Sequence, residues 1–255
     1  MMEEHLRKLV EHAEPKGSFS FILTDRQTKI SMDFQPTFQF PSNHCYYELA
    51  LNRLETYYSF ANIKPENSNF RITIDKGKTW KVMSIPTGCY EITAINETIQ
   101  RLIEEYGGKA KMINLLPNVN TLKCILDIKH EDYQIDFTVD NCLRTVLGFD
   151  AKIYTQGRYE SARLVDILSI NSILVHCNIV GASRVNGKEA PIIYNFFPNV
   201  APGDKIVETP MNLIYVPIIV DAISTLTCWL TDQDGHPLDL RGEQLTISLH
   251  VRACQ

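Results

Sequence analysis

The length, composition and charge of this chain favour one folded, strand-rich domain and exclude several classes of protein. Its 255 residues fall within the range that all-β sandwiches and barrels fill as a single unit, and 44% hydrophobic with 22% charged residues is a globular rather than a disordered composition. The net charge of −5, without a cluster of Lys and Arg, argues against direct binding of nucleic acid. No apolar run reaches the roughly 18 residues of a membrane span.

The N-terminal segment, residues 1–16, carries a short helical pattern. Its apolar residues recur on one face and are followed by helix-breaking residues: Leu6, Leu9, Val10 and Ala13, then Pro15 and Gly17. We therefore predict an N-terminal helix or arm. Because the segment is charged and unlike a secretory signal peptide, we expect the protein to be made in the cytosol.

Period-2 alternation then dominates the chain, in phrases such as "SFSFILT", "FRITID", "NLIYVPIIV" and "QLTISLHVR". Short alternating strands at close spacing, separated by turn clusters, predict a β-sandwich or barrel. The last phrase separates an apolar face (Leu245, Ile247, Leu249 and Val251) from a polar face (Thr246, Ser248, His250 and Arg252). The polar face can be either solvent surface or a subunit contact.

Residues 86–150 depart from the β rhythm. In "YEITAINETIQRLIEEYGG" the apolar residues recur at helical spacing, with Thr93 as a capping residue and Gly107-Gly108 as the end. The phrase "NCLRTVLGF" predicts a single helical turn closed by Gly148. We expect residues 86–150 to form a helix-plus-strands unit inserted in one domain of residues 1–255. The following "DAKIYTQGRYESAR" is interpreted as a polar surface loop.

The seven cysteines are dispersed, with no CxxC spacing; they are Cys45, Cys89, Cys124, Cys142, Cys177, Cys228 and Cys254. An odd, scattered set within apolar stretches is typical of reduced, buried thiols. We expect neither a disulfide framework nor a zinc site.

An acidic cluster near the C-terminus, in "LTDQDGHPLDLRGEQLTISLHVR", can be a metal loop or a set of turns. A calcium loop needs an acidic residue two positions before Asp232, where Leu230 stands. An Asp-Gly step between alternating strands is typical of a tight turn. We therefore predict structural turns and no metal, with the turn residues Asp232, Asp234, Gly235, Gly242 and Glu243.

No motif indicates an enzyme. The chain has no HExxH, G-x-S-x-G, G-x-G-x-x-G or P-loop sequence, and its paired acids Glu104-Glu105 and Glu131-Asp132 lie in polar helix or turn contexts. We predict no catalytic residues and no cofactor. Acids brought together from distant positions, as in a glycosidase, stay open as a third alternative.

Two adjacent aromatic pairs, Tyr57-Tyr58 and Phe196-Phe197, point to a surface. Neighbours in a strand face opposite sides, so one ring of each pair should leave the core. Such rings either lie under loops or form an interface. Together with Arg252 on the polar face of the last strand, these residues are the predicted subunit interface.

Several phrases, taken in order, resemble the capsid-type proteins encoded by Polinton (Maverick) elements and the related adintoviruses. They are "IPTGCYEITAINETIQ", "YQIDFTVDNCLRTVLGF", "INSILVHCNIV", "NLIYVPI" and "WLTDQDGHPLDLRGEQLTISLHVR", spread over roughly residues 85–252. The terminal motif of that family maps onto Asp232, Gly235, Gly242 and Glu243, for which turn roles are the natural interpretation. The family offers no catalytic residues to carry over.

The resemblance implies a single jelly roll and a structural role in the virion, most plausibly as the smaller, penton-like capsid vertex component. Its partners would be further copies of itself, as a homopentamer, and a major capsid protein. The residue patterns leave a second class open, a β-sandwich recognition module that binds a glycan or a receptor protein. Exposed aromatic residues such as Trp80 and Trp229 would serve that role.

Overall fold

The chain divides into two compact units. The first comprises Met1–Ser59 and Ile170–Gln255, and the second is Phe60–Ser169. The computed structural model describes residues 18–40, 46–167, 170–181, 183–185 and 187–254. The predicted N-terminal helix or arm, residues 1–16, lies outside the described residues.

The described elements alternate between the two units along the chain. The first unit begins with β1 (Ser18–Asp25), β2 (Lys29–Gln39) and β3 (Tyr46–Tyr57). The second unit contains β4 (Asn69–Thr73), β5 (Lys81–Ser84), α1 (Ile92–Glu105), β6 (Ile113–Asn118), β7 (Lys123–Ile128), β8 (Gln134–Asp136), α2 (Arg144–Leu147), β9 (Ile153–Tyr154) and β10 (Gly157–Glu160). The chain returns to the first unit with β11 (Ile173–Cys177), β12 (Arg184–Val185), β13 (Lys188–Glu189), β14 (Ile192–Phe196), β15 (Lys205–Glu208), β16 (Val216–Pro217), β17 (Ala222–Thr231) and β18 (Leu245–Cys254).

The first unit is a jelly-roll β-sandwich. Its first sheet has the strand order β1-β18-β3-β15, with β16 also paired to β3, and its second sheet has the order β14-β11-β17-β2. The short hairpin β12-β13 lies outside these two sheets, and β15 and β16 are two pieces of one edge strand. When the eight strands of the sandwich are numbered in chain order, the first sheet has the order 1-8-3-6 and the second has the order 5-4-7-2. The first strand pairs with the last, and successive strands cross between sheets, as in an eight-stranded jelly roll. The predicted mainly-β jelly-roll fold is confirmed.

The sandwich core follows the alternation of the strands. The apolar face of β18 is fully buried, as its sequence predicts, and Ile247 lies between Leu23 of β1 and Leu54 of β3. The register of β3 against β18 shifts by one residue between Ser248 and Leu249, so that Leu51 and Leu54 both remain buried. Each fully buried aliphatic side chain of this kind stabilises the fold by about 1.5–3 kcal/mol.

The second unit packs helix α1 on its own apolar core. Ile95, Ile99 and Ile103 are fully buried on one face of the helix. The predicted cap at Thr93 is wrong: the helix begins at Ile92, and Glu91 occupies the capping position without a side-chain hydrogen bond. Burial of the first turn in the core has overridden the preference for a capping side chain.

Two features of the second unit bear on the predicted segment 86–150, which lies within it. The predicted turn at "NCLRTVLGF" is α2, and Gly148 closes it with a positive φ of 78°.

The polar surface loop predicted after residue 150 is wrong, because β9 and β10 lie there. Tyr154 is buried with its ring 5.8 Å from that of Phe137 and 5.4 Å from that of Phe149, so aromatic packing holds this polar stretch in the fold.

Candidate subunit interface

The β14 and β15 edges share one side of the sandwich. At the opposite side β1 and β2 meet, where the rings of Phe19 and Phe38 are 5.3 Å apart. Because β15 and β14 stand at the other ends of their sheets, they lie together. The Tyr194 hydroxyl of β14 donates a hydrogen bond of 2.8 Å to Glu208 Oε1 of β15. Burial and this carboxylate raise the pKa of Tyr194, so the tyrosine stays protonated as the donor.

Several large apolar side chains of this region are exposed, and we call five of them the edge surface. They are Tyr57 (38% exposed), Phe197 (48%), Val207 (47%), Met211 (99%) and Ile214 (62%). Scattered apolar residues are normal on a protein surface, whereas a concentration of large ones marks interaction sites. The edge surface is therefore the strongest candidate interface of the first unit.

Two residues of the edge surface, Met211 and Ile214, lie in an interruption of the edge strand. Both β15 and β16 pair with β3, at its C-terminal and N-terminal parts respectively. Between them, residues 209–215 leave the sheet. The sequence pattern "NLIYVPIIV" predicts one strand here, and the structure corrects this to the two residues of β16. Pro210 lies two residues after the end of β15 and, lacking an N–H group, cannot continue the ladder.

The two aromatic pairs of the predicted interface divide between core and surface. Tyr58 is buried; its N–H donates to Asp204 O at 2.9 Å, and its carbonyl accepts from Gly203 N–H at 2.8 Å. Phe196 is buried as well. Tyr57 and Phe197 are the exposed members of their pairs and belong to the edge surface.

The remaining predicted interface residue, Arg252, is held within the first unit. Its Nη2 and Nε atoms donate to Glu48 Oε2 at 2.7 and 3.0 Å, and its guanidinium carbon lies 3.6 Å from the centre of the Tyr215 ring. Tyr215 Oη and His250 Nδ1 share a hydrogen bond of 2.8 Å. The hydrogen bond from Arg252 lowers the pKa of Glu48. The polar face of β18 is therefore partly covered by residue 215 of the same chain.

The predicted turn residues lie in two tight turns between β17 and β18. Asp232 Oδ1 accepts the N–H groups of Asp234 and His236, both at 2.9 Å, and Gly235 has a φ of 85°. In the second turn Gly242 has a φ of 79° and Glu243 N–H donates to Leu240 O at 3.0 Å. Both glycines thus adopt a backbone conformation that other residues rarely take.

Asp232, Asp234 and His236 also bring three potential metal ligand atoms within 4.8 Å of one another. The Asp232 carboxylate already accepts two backbone N–H groups, and its Oδ2 lies 3.3 Å from His236 Nδ1. An Asp side chain that caps its own turn explains this proximity without an ion.

A shallow pocket lies on the outer face of the second sheet, with a volume of about 330 Å³. Its polar lining comes from His176, Lys188, Gln233 and Asp234. Burial lowers the pKa of His176, and its ring stacks on Trp229 with centroids 4.9 Å apart. This pocket is the feature that a small ligand would fit.

The glycosidase alternative requires two facing acids, at least one of them buried. Among the described residues, the one fully buried carboxylate is Asp136 in the second unit. It pairs with Arg71 and accepts the N–H of Thr138 at 2.7 Å. Burial works to raise the pKa of Asp136, yet these hydrogen bonds hold it below the ordinary value. Its environment is that of a satisfied structural ion pair.

Fold and surface together define a jelly-roll β-sandwich protein with an apolar edge. No protein-family model and no curated protein sequence matches the chain. Among solved structures, it is similar to the crystal structure of the selenomethionine-labelled mavirus penton protein, with a TM-score of 0.49 and 14% sequence identity over 93% of this chain and 100% of that chain. Among the described helices, none is both long and apolar enough to cross a membrane.

Proposed function

We propose that this chain is a structural capsid protein, a penton-like component of a virion that associates with copies of itself. The observation that carries the proposal is the edge surface, five exposed apolar side chains in or next to β3, β14, β15 and β16 of a jelly roll. Burying such surface favours association by roughly 25 cal/mol per Å². Large exposed apolar patches mark interaction sites.

The fold narrows the classes of protein to consider. Eight-stranded jelly rolls occur in viral capsid and lectin domains and in cupins. The ordered phrases that resemble Polinton (Maverick) and adintovirus capsid-type proteins favour the first of these, a structural rather than an enzymatic role. We therefore place the protein in the virion, made in the host cytosol.

A head-to-tail contact would pack the edge surface of one subunit against a different surface of the next subunit. Contacts of this type generate a closed ring when the rotation between subunits divides the circle. A penton-like protein at a capsid vertex would form a homopentamer and would contact a major capsid protein. In this arrangement Tyr57 and Phe197 contact the next subunit, Tyr58 and Phe196 support them from within, and Arg252 lies beside the contact.

The turns between β17 and β18 have a structural role in the proposal. Asp232, Asp234 and Gly235 form the first turn, and Gly242 and Glu243 the second. They set where β18 begins, and residues Thr246 to Cys254 of β18 pair with β3, the strand that carries Tyr57. No metal or cofactor is part of the proposed function.

The test replaces edge-surface residues by charged ones. We expect the double substitution Met211→Glu with Ile214→Glu to shift the protein from assemblies to monomers in sedimentation velocity, because two carboxylates cannot be buried in an apolar contact. Both side chains are exposed in the single chain, so its unfolding midpoint should change little. Val82→Glu is the matched control, since Val82 is 57% exposed in the second unit.

The control variant should sediment as the wild type does. If the double variant assembles as the wild type does, the edge surface does not form the contact between subunits. If the double variant and Val82→Glu lose assembly equally, the effect is not specific to this edge.

A recognition module is the second candidate, and the pocket beside His176 is the observation that favours it. Its volume is at the lower end of the range for small-molecule sites. The two tryptophans are less available, because Trp229 stacks on His176 and the Arg71 guanidinium lies 5.3 Å from the Trp80 ring. A reproducible glycan-array signal from a monomeric protein would favour this candidate over the capsid role.

A further inference from the structure

Two buried cysteines face each other across the second sheet. Cys177 ends β11 and lies directly opposite Cys228 of β17 in the strand register. Both side chains are fully buried in the sandwich. Their positions lie 51 apart in the sequence, and neither stands in a spacing motif. Only the register of β11 on β17 brings them together.

The hydrogen-bond ladder shows which kind of strand pair they form. The next pair along, Asn178 with Thr227, is joined by a backbone hydrogen bond of 3.0 Å from Asn178 N–H to Thr227 O. Directly opposed residues alternate between hydrogen-bonded and non-hydrogen-bonded pairs in an antiparallel ladder. Cys177 N–H accordingly points away from β17 and donates to Pro191 O at 2.9 Å. Cys177 and Cys228 are therefore a non-hydrogen-bonded pair.

This pair type has the geometry that a disulfide needs. Opposed Cα atoms in non-hydrogen-bonded pairs lie about 4.5 Å apart, within the roughly 4.4–6.8 Å range of disulfide-linked residues. Both side chains also point to the same face of the sheet, because directly opposed residues do so. A bond between the two sulfur atoms therefore requires no change of strand register.

We propose that Cys177 and Cys228 form a dithiol site that closes to a disulfide across the second sheet when the protein meets a low-molecular-weight disulfide such as oxidised glutathione. The site is covalent and intramolecular. It is independent of the proposed capsid function, because it depends only on the register of β11 and β17.

The reaction is a pair of thiol–disulfide exchanges. The exchange takes place before folding buries the two side chains or when the strands open, because buried thiols are out of reach of glutathione. One of the two cysteine thiolates attacks one sulfur of the oxidant, forms a mixed disulfide and releases one glutathione thiolate. The thiolate of the other cysteine then attacks the cysteine sulfur of the mixed disulfide, forms the protein disulfide and releases the second glutathione. Both cysteine protons end on the two glutathione thiols, and the two electrons lost by the protein reduce the oxidant.

The two neighbouring thiols influence each other's ionisation. Their interaction lowers the pKa of Cys177, whereas the same interaction, together with burial, raises the pKa of Cys228. The thiolate is the nucleophile in exchange. By contrast, Cys124 of β7 is equally buried but lies opposite Pro117, and burial raises its pKa to about 12.

The bond would enclose the segment that carries most of the edge surface. Residues 178–227 include β14, β15, β16 and the excursion 209–215. Linking the two ends of this segment reduces the entropy of the unfolded chain, so the oxidised protein should be the more stable form.

The experiment oxidises the full chain and maps its disulfides. Protein is incubated with oxidised glutathione in two arms, folded and during refolding from urea, then alkylated and digested with trypsin. Arg184, Lys188 and Lys205 lie between the two cysteines, so trypsin places them in separate peptides. We expect a linked peptide pair containing Cys177 and Cys228, and a higher Tm for the oxidised protein than for the reduced one.

The matched variants are Cys177→Ser and Cys124→Ser. The first should abolish the linked pair and the oxidation-dependent rise in Tm, and the second should leave both unchanged. Linkage in either arm of the wild-type experiment supports the proposal, even if Cys177→Ser fails to fold. Alkylated or singly glutathionylated Cys177 and Cys228, without linkage in either arm, would overturn it.

Discussion

Single side chains of β18 set the register of the first sheet. Ile247 is fully buried between Leu23 and Leu54, whereas the adjacent Ser248 lies on the outer face opposite Arg53. A shift of one residue would exchange the two faces of the strand. The alternation in the sequence predicts this division because side chains along a strand face alternate sides.

Ile247→Asp tests the register directly. We expect it to abolish cooperative folding: losing the buried side chain costs about 2–5 kcal/mol, and an unpaired carboxylate in the core adds further cost. Together these approach the roughly 5–15 kcal/mol stability of a typical domain. Ser248→Asp is the matched control and should unfold near the wild-type midpoint in urea. A cooperatively folded Ile247→Asp protein would contradict the register.

Other residue-scale features have no local signal in the sequence. Arg252 meets Glu48 and Tyr215, which are 204 and 37 positions away, and Cys177 meets Cys228 only through strand pairing. Such contacts follow from the topology of two sheets, and a period-2 pattern does not encode which strands are neighbours. The polar face of β18 could be predicted, whereas its partners could not.

At the scale of elements, two helix ends show how glycines differ in their constraints. Gly107 follows α1 and Gly148 follows α2, with φ values of 91° and 78°. A Cβ atom added to Gly107 would meet nothing within 4 Å, whereas at Gly148 it would lie 2.4 Å from Arg163 O and 2.9 Å from Leu164 O. At both helix ends the glycine has a left-handed backbone conformation, but only at Gly148 does the backbone of residues 163–164 also leave no room for a side chain.

Replacing each glycine by alanine separates these two effects. Gly107→Ala should cost about 1–2 kcal/mol, the strain of a left-handed backbone. Gly148→Ala should cost a further 1–3 kcal/mol or so, because the backbone at residues 163–164 must move. Urea unfolding of both variants measures the difference. Equal losses would show that the close approach to Arg163 does not constrain the fold.

The elements that could not be predicted are those held by packing. Residues 151–164 are polar enough to suggest a loop, yet Tyr154 anchors β9 in an aromatic cluster and β10 pairs with β7. The helix at residues 92–105 could be predicted from its apolar spacing, but not its first residue, which burial determines. Local patterns predicted which elements exist better than where they begin.

At the scale of the whole chain, the jelly roll could be predicted from the sequence, whereas most of the edge surface could not. The strand-rich pattern favoured a sandwich, and the family resemblance implied the jelly roll. Ile214 could not be predicted as a surface residue, because the apolar run "NLIYVPIIV" to which it belongs is also the pattern of a buried strand. Met211 and Ile214 lie in the break between β15 and β16, whereas Val207 lies on the outward face of β15. The proposed self-association includes the residues of that break.

The mass of the wild-type protein in solution tests self-association most directly. We expect sedimentation velocity to show a species of about five times the 29.1 kDa of one chain, and electron microscopy to show rings. The population should grow with protein concentration, as association by mass action requires. A protein that stays strictly monomeric at high concentration and forms no rings would contradict the proposed capsid function.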